Sequence, residues 1–578
     1  MKHFKKYIRV YWKLGLLSVL CVSLEALCDL FQPKLMSGLI DSGVLKGDAQ
    51  VVIRTGLIML GIAGAGSLFA LTRNITSSHA SQNFGRELRD DLFAKIQSLP
   101  VGEIDRFEGG SLITRMTNDI TQIQNFVTMM MRIFFKAPVM CIGAMILAAT
   151  LNVRAVFLVI PVVICVFAVI VISMKLSYPR FARMQQALDK LNTIMREYLT
   201  GIRLVKAFRR FDAEERRFGA VNGALERRSA EAGRVTAVFG PCLQLFAGLG
   251  IAAILFFGSR WVSDGQMEIG QIMAFIIYMQ QITQSFNMIS NMLNQVVRVK
   301  ASGERIAEVF DAGELDFGKT GGYIPEKTAP ALTFDRVKFI YTGSTGQPAL
   351  ESVTFSVEKG TTVGVIGSTG SGKTSLAALL LRFYPPAAGG ITISGVPVGD
   401  IPEKELRAAV AVVPQTAALF TGTVRENILW GRPEATDGEV RRAAELACAD
   451  EFITAMKDGY DTMLGQGGVN LSGGQKQRLS IARALIRKPD ILILDDCTSA
   501  LDSITEAKVR RNIADYVSGM TCLLITQRIS TVMDCGAVLV LDNGRVAGYG
   551  AHGDLMRDCA LYRDIYRSQI GVYEGEAI

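Results

Sequence analysis

Twenty consecutive residues without a charge, 155–174, constrain the first half of this chain more than any other feature. A helix rises about 1.5 Å per residue, so a run of that length crosses the ~30 Å hydrocarbon layer of a bilayer. Uncharged runs recur at 55–72, 137–151, 235–259 and 269–297, and a sixth, 14–40, is interrupted by Glu25, Asp29 and Lys34. These runs predict an α-helical membrane domain with six spans over residues 1–310. At 578 residues and mean hydropathy +0.28 the chain is too long for one domain and too apolar for an ordinary cytosolic enzyme. A membrane part followed by a soluble part is the organisation implied.

Orientation follows from the basic residues. The connections 41–49, 152–154 and 260–268 carry Lys46, Arg154 and Arg260 alone, whereas 73–119 and 175–234 are dense in Lys and Arg. Both termini are therefore expected on the cytoplasmic side of a bacterial inner membrane, with the long inner connections continuing the spanning helices into the cytoplasm. The start, with Lys2, Lys5, Lys6, Arg9 and Lys13 among aromatics, lacks a cleavage signature and reads as an uncleaved interfacial segment. A net charge of +8 raises the question of nucleic acid, but the cations are scattered and flank apolar runs, which suits anionic lipid headgroups and argues against nucleic acid. Ten cysteines without short paired spacing suggest neither a disulfide framework nor a zinc site.

Charges inside the spans are few. Glu25 and Asp29 stand four residues apart, as do Arg132 and Lys136, so each pair is expected to share a helix face and the two faces to meet. A structural ion-pair patch, a site for a charged substrate and snorkelling to the headgroups are the alternatives. The sixth run carries Gln280, Gln281, Gln284, Asn287, Asn291 and Asn294, which fits either hydrogen bonding between helices or the lining of a cavity.

Beyond a linker at 311–329 hydropathy falls, and β-rich runs at 332–339, 361–366, 409–413, 491–494, 522–525 and 537–541 alternate with helical ones. That alternation predicts an α/β domain over 330–578 with a largely parallel sheet. The second run leads into Gly367, Ser368, Thr369, Gly370, Ser371, Gly372, Lys373, Thr374 and Ser375, then a helix rich in Ala and Leu. This is a phosphate loop in its strand–loop–helix context: glycines let backbone N–H groups wrap phosphates, Lys373 reaches the β- and γ-phosphates, and Thr374 offers a hydroxyl to Mg²⁺. The run 491–494 ends in Asp495, placed as a Mg²⁺-holding carboxylate. ATP and Mg²⁺ are the cofactors these motifs imply.

Between the two motifs lies Leu471, Ser472, Gly473, Gly474, Gln475, an LSGGQ sequence. Together with Gln415 after Val-Val-Pro and with Ser499, Ala500, Leu501 and Asp502, it makes the chain resemble the ATP-binding cassette family over essentially its whole length. The six-span half resembles the exporter branch, with Phe107, Gly110, Leu112, Arg115, Asn118 and Asp119 similar to a first coupling segment and Glu197, Gly201, Lys206 and Phe208 to a second. The resemblance implies a P-loop ATPase domain after an exporter-type membrane domain, with Tyr341 stacking on adenine and Thr374, Gln415 and Asp495 around the metal. It implies that Gln415 senses the attacking water, and that Ser472, Gly473 and Asp502 serve nucleotide bound by a second half-transporter. ATP-driven closure is then expected to move coupling segments near 107–118 and 209–218.

Two positions depart from the family pattern. The Glu expected after Asp495 is Asp496, shorter by one methylene, and the switch His expected after the strand at 522–525 is Gln527. His3, His79 and His552, the chain's three histidines, lie elsewhere. The carboxylate is retracted by roughly 1–1.5 Å, which matters for a group that must reach a water, and an amide lacks the imidazole's tunable proton. The pair marks this chain as resembling the degenerate-site half of a heterodimeric exporter, with Asp496, Gln527 and Gln415 at an impaired catalytic position. A homodimeric exporter, a lipid flippase and a nucleotide-gated regulatory subunit are the alternatives. An amphipathic small molecule, a lipid or a peptide fits as substrate, and the lack of an N-terminal peptidase domain disfavours a leader-cleaving peptide exporter.

Overall fold

The computed structural model describes residues 3–107, 109–313, 323–341, 346–516 and 519–571. Residues 314–322 of the expected linker and the side chains of Asn291 and Asn294 lie outside the described residues. The backbone divides into two compact units, Met1–Gln97 with Gly110–Asp311, and Ser98–Gly109 with Ala312–Ile578.

The first unit is all helix. Among the described residues, five helical stretches are long and apolar enough to cross a membrane, and the sixth expected span forms the helix Ile269–Asp311. Ala49–Ser98, Val153–Thr200 and Phe211–Ser263 have 50, 48 and 53 residues. At 1.5 Å per residue each runs roughly 70–80 Å, more than twice a bilayer's hydrocarbon thickness, as the amphipathic inner connections require. The third stretch begins well before its apolar run. It is helical from Gly109 to Leu151, with π-helical segments at Arg115–Asp119 and Met130–Phe134.

Polar contacts inside this unit have local causes. Pro33 lies within the helix Lys5–Gly38 and has no N–H, so the carbonyl of Asp29 loses its i+4 donor. The Gln281 side chain donates to that carbonyl at 3.2 Å, while Tyr278 donates to the carbonyl of Leu30 at 3.0 Å. At this point the sixth helix uses its amides for helix–helix bonding, whereas Gln280, Gln284 and Asn287 are exposed. Buried Asp41 accepts from Ser37 Oγ at 3.0 Å and from the backbone N–H of Gly270 at 2.6 Å, satisfying a donor in the first turn of Ile269–Asp311. A Cβ on Gly270 would stand 2.5 Å from that carboxylate.

The expected meeting of charged faces is corrected in its partners. Lys136 Nζ lies 2.6 Å from Glu25 and 3.0 Å from Asp29, as anticipated. Arg132 instead donates to Ser77 Oγ at 2.7 Å and to the carbonyl of Asn74, and the second cation on Glu25 is Arg73 at 3.1 Å. Arg132 sits in the π-helical segment Met130–Phe134, whose i→i+5 bonding rotates it out of phase with Lys136. The resemblance to a coupling segment at 107–118 is also displaced. Residues 98–109, with the helix Val101–Phe107, belong to the second unit, whereas Arg115 and Asp119 bind the sixth helix through Arg305, Glu308 and Ser302.

The second unit carries two main sheets where one was expected. The six-stranded sheet runs, edge to edge, Arg545–Gly550, Ala537–Asp542, Thr362–Gly367, Thr521–Ile525, Ile491–Asp495 and Val410–Val413, parallel except at Arg545–Gly550. Leu332–Phe339 belongs instead to a four-stranded antiparallel sheet, between Leu350–Val357 and Ala388–Ile393. Its inner face packs Phe334 on Phe355, ring centroids 4.8 Å apart. In the parallel sheet Ile525 is opposite both Asp495 and Val365. That register brings the carboxyl ends of the phosphate-loop, Asp495 and Gln527 strands to one edge, where α/β sheets bind ligands.

Candidate nucleotide site

Each part of the phosphate loop has a steric reason for its residue. A Cβ on Gly367 would lie 2.2 Å from the carbonyl of Leu541, and one on Gly372, at φ +98°, would lie 2.6 Å from that of Ala349. Gly372 turns the chain into the helix Lys373–Leu380, whose first N–H groups have no intrahelical partner. Ser368, Thr369 and Gly370 are exposed on the loop, and Ser371 is buried beneath it. Lys373 Nζ is held by the carbonyls of Gly367 at 2.9 Å and Ser368 at 2.7 Å, and by Ser371 Oγ at 3.4 Å. Burial lowers its pKa, and Asp496 and Asp495 oppose that shift. An anion arriving in the loop would strengthen the same opposing effect.

Two carboxylates stand beside the lysine. Asp495 Oδ1 accepts from Thr374 Oγ1 at 3.3 Å, linking the two residues expected to hold the metal. Asp496 has φ +46° and donates its N–H to the carbonyl of Ile525 at 2.8 Å. Its Oδ2 accepts from Gln415 Nε2 at 3.2 Å. Burial raises both carboxyl pKa values, offset by Thr374 at Asp495 and by Gln415 and Lys373 at Asp496. Two burial-raised carboxylates facing a hydroxyl and an amide suit a divalent cation, which would supply the missing positive charge.

Tyr341 stands beside the loop, its hydroxyl 3.0 Å from Ser375 Oγ and its ring edge-on to Phe339 at 4.6 Å. Gln527 is exposed, and its carbonyl accepts from Gln569 at 2.7 Å. The structure thus joins Thr374 to Asp495 and Gln415 to Asp496 through direct contacts, holds Lys373 on the loop's own carbonyls, and places Gln527 on the loop after the adjacent strand.

The LSGGQ residues form a separate group. Leu471 is buried, and the helix Gly473–Leu485 begins after Ser472, its N-cap. Ser472 Oγ accepts from the Gln475 N–H, and Gln475 Oε1 accepts from the Ser472 N–H at 2.9 Å, a capping box. Gly474 packs against the carbonyl of Ala500, where a Cβ would stand at 3.1 Å. Asp502 caps the helix Ser503–Tyr516 by accepting from the Thr505 N–H at 2.9 Å, which lowers its pKa. Among the described residues no hydrogen bond joins Leu471–Gln475 to the phosphate loop.

Sequence reasoning missed Glu506. This buried carboxylate accepts from Thr498 Oγ1 and Thr531 Oγ1, each at 3.0 Å, and pairs with Arg528 at 2.8 Å. It ties the segment after Asp496 to the loop after Gln527. The available signal was its position one helical turn after Asp502, since the bonds it makes are set by the sheet and not by local spacing.

Comparison with known proteins agrees with this architecture. The family model described as ABC transporter transmembrane region matches residues 16–286, and that described as ABC transporter matches 350–499. An uncharacterized ABC transporter ATP-binding protein of Bacillus subtilis, YfiB, is 38% identical over 99% of both chains. An ATP-dependent lipid A-core flippase of Chromobacterium violaceum is 32% identical over 97% of this chain and 96% of its own. The structure of a bacterial Atm1-family ABC exporter with ATP bound superposes with TM-score 0.80 at 26% identity, covering 98% of this chain and 99% of that one. A helical membrane domain followed by an ATP-binding cassette, shared along their whole lengths with such relatives, establishes that this chain belongs to the ABC transporters, as an ATP-driven exporter.

Proposed function

We propose that this chain is the hydrolytically impaired half of a heterodimeric exporter in the bacterial cytoplasmic membrane, with both termini and the cassette cytoplasmic. The observation that carries the reading is the joint change at the hydrolytic edge, Asp496 in place of Glu and Gln527 in place of His. The phosphate loop, Lys373 and Tyr341 would bind ATP, with Thr374, Gln415 and Asp495 around Mg²⁺. Mg²⁺, when bound, supplies charge neutralisation between the β- and γ-phosphates. Asp496 would reach the attacking water poorly, and the Gln415 amide already donates to it at 3.2 Å. A second chain with Glu and His at these positions would complete the working site with this chain's Ser472, Gly473 and Asp502. ATP retained at the slow site would keep the two cassettes partly joined and bias the transporter toward one side of the membrane.

For the cargo, the lipid A-core flippase of Chromobacterium supports an amphipathic molecule of lipid character, moved between leaflets or across them. An amphipathic small molecule or peptide is the other class compatible with this membrane domain. Native mass spectrometry of the tagged chain, gently extracted from its own membrane, tests the pairing. A complex with one different chain of similar mass carrying Glu and His supports the proposal. A species at twice 62.9 kDa rejects it and makes Asp496 and Gln527 working catalytic residues.

A further inference from the structure

The helix Ala560–Ile570 packs one stripe of side chains on the cassette. Tyr562, Ile565 and Tyr566 form that stripe by helical spacing and share a core with Ile366, Ile529, Val532, Val538 and Val540. Tyr562 is fully buried, its hydroxyl 2.8 Å from His552 Nδ1. The next position of the stripe, seven residues after Tyr562, is not apolar but Gln569. Its amide takes two backbone groups of one loop: Nε2 donates to the carbonyl of Gln527 at 2.7 Å, and Oε1 accepts the N–H of Ile529 at 2.8 Å. A carboxamide offers a donor and an acceptor side by side, whereas Leu offers neither and a Glu carboxylate lacks the donor. The same loop is pinned elsewhere as well. Thr526 donates its N–H to the carbonyl of Val365 at 3.1 Å, the Arg528 N–H donates to Thr526 Oγ1 at 3.1 Å, and the Arg528 side chain reaches Glu506 at 2.8 Å. The backbone is therefore fixed on both sides of Gln527, which itself stands exposed.

We propose that Gln569 is a positioning residue of the nucleotide site, setting the loop 526–529 so that the Gln527 amide meets the γ-phosphate. This rests on the switch position given to Gln527 and not on the heterodimer. Gln569 is exposed, so water can take over either of its bonds, and the helix stays anchored through Tyr562 when the amide is removed. What water does not reproduce is one rigid group spanning the carbonyl of Gln527 and the N–H of Ile529. A loop released there samples other arrangements, and a bond to the γ-phosphate must then order it first. Only a nucleotide that carries a γ-phosphate meets that cost, whereas general damage to the cassette weakens every nucleotide.

Hydrogen–deuterium exchange on the full-length protein with its natural partner, in lipid nanodiscs with Mg²⁺, tests this without knowledge of the cargo. Protection of 367–375, followed against nucleotide concentration, reads affinity at this chain's own phosphate loop. The probes are AMP-PNP, an ATP analogue that is not hydrolysed, and ADP, which has no γ-phosphate. Gln569→Leu should weaken AMP-PNP about threefold to tenfold and leave ADP within about twofold. Gln527→Ala should weaken AMP-PNP at least as much, and the double variant should lose no more than Gln527→Ala alone, because the two residues act as one unit. Unchanged AMP-PNP affinity in Gln569→Leu, or additive losses in the double variant, overturns the proposal. Should Gln569→Leu weaken ADP equally, Gln569→Glu decides, since it keeps the volume and the acceptor for Ile529 and removes the donor to Gln527. A loss confined to AMP-PNP then supports the proposal, and no loss or equal losses for both nucleotides refute it. Gln527→Ala separates the underlying assumption. If it leaves AMP-PNP untouched, the switch position falls and the proposal with it; if it weakens AMP-PNP while Gln569→Leu does not, the switch position stands and the proposal alone falls.

Discussion

The phosphate loop and the hydrolytic edge lie side by side in this cassette but are built in opposite ways. From Gly367 to Thr374 the work is assigned to backbone N–H groups, to glycines that no Cβ can replace, and to a lysine held by the loop's own carbonyls. At the edge it falls to single side chains, Asp496, Gln415 and Gln527, on loop ends brought together by strand register. Backbone architecture tolerates little substitution, whereas a side chain can lose a methylene or an imidazole and leave the fold intact. On the function proposed above, two substitutions separate binding from hydrolysis.

The sharpest test of that separation is Lys373→Ala. The ammonium would make at least two charge-assisted bonds to phosphate, each contributing about 1.5–3 kcal/mol, so ATP affinity at this chain's site should fall by roughly 100-fold or more. Titration with a fluorescent ATP analogue reads it. Affinity within about threefold of the unmodified protein would show that the backbone alone holds the nucleotide, and would erase the role given to the lysine.

Next in size is Ser472→Ala, which probes a binding element offered to the other site. Losing an N-cap costs about 1 kcal/mol, and the hydroxyl proposed to meet the γ-phosphate at the other site is lost as well. Steady-state turnover of the assembled exporter should fall about fivefold to tenfold, with binding at this chain's own phosphate loop unchanged. Untouched turnover would mean that Leu471–Gln475 completes no working site.

The same contrast explains what could be read in the chain. The strand–loop–helix around Gly367–Thr374 was legible, because local sterics specify it. The strand at 332–339 was found with its bounds, yet it was assigned to the parallel sheet. Its partners Leu350–Val357 and Ala388–Ile393 pair with it across registers that no local pattern encodes. In the membrane unit the pairing of Lys136 with Glu25 and Asp29 followed from helix spacing. The companion expectation for Arg132 failed because spacing rules assume an unbroken α-helix, and Met130–Phe134 is not one. Glu506 and Arg73 were invisible for a related reason: their partners come from other elements and carry no motif.

Glu506→Gln gives a smaller effect on the edge itself. The amide keeps an oxygen for Thr498 and Thr531, which share Oε1, but turns a donor toward Arg528, which is 44% exposed and therefore partly screened. Stability should drop by about 1–2 kcal/mol, read as a lower melting temperature, and hydrolysis by the assembled exporter should slow because two loops lose a shared anchor. An unchanged melting temperature would show that water replaces the carboxylate and that the loops hold themselves.

The smallest predicted effect is the most informative. Asp496→Asn removes the carboxylate but keeps its size and its place beside Gln415. If this chain's site is already slow, the partner's site carries the turnover, and the steady-state rate of the assembled exporter should change by less than about twofold, since no catalytic carboxylate worth the usual 10²–10⁴-fold is being lost. A collapse of that size would identify Asp496 as a working general base despite its length, and the contrast between a sound loop and a spent edge would disappear. The reverse change, Asp496→Glu with Gln527→His, completes the argument. It should raise hydrolysis at this chain's site in an exporter whose partner is inactivated at its own Glu, because the missing reach and the missing proton are restored together on a phosphate loop that was never impaired.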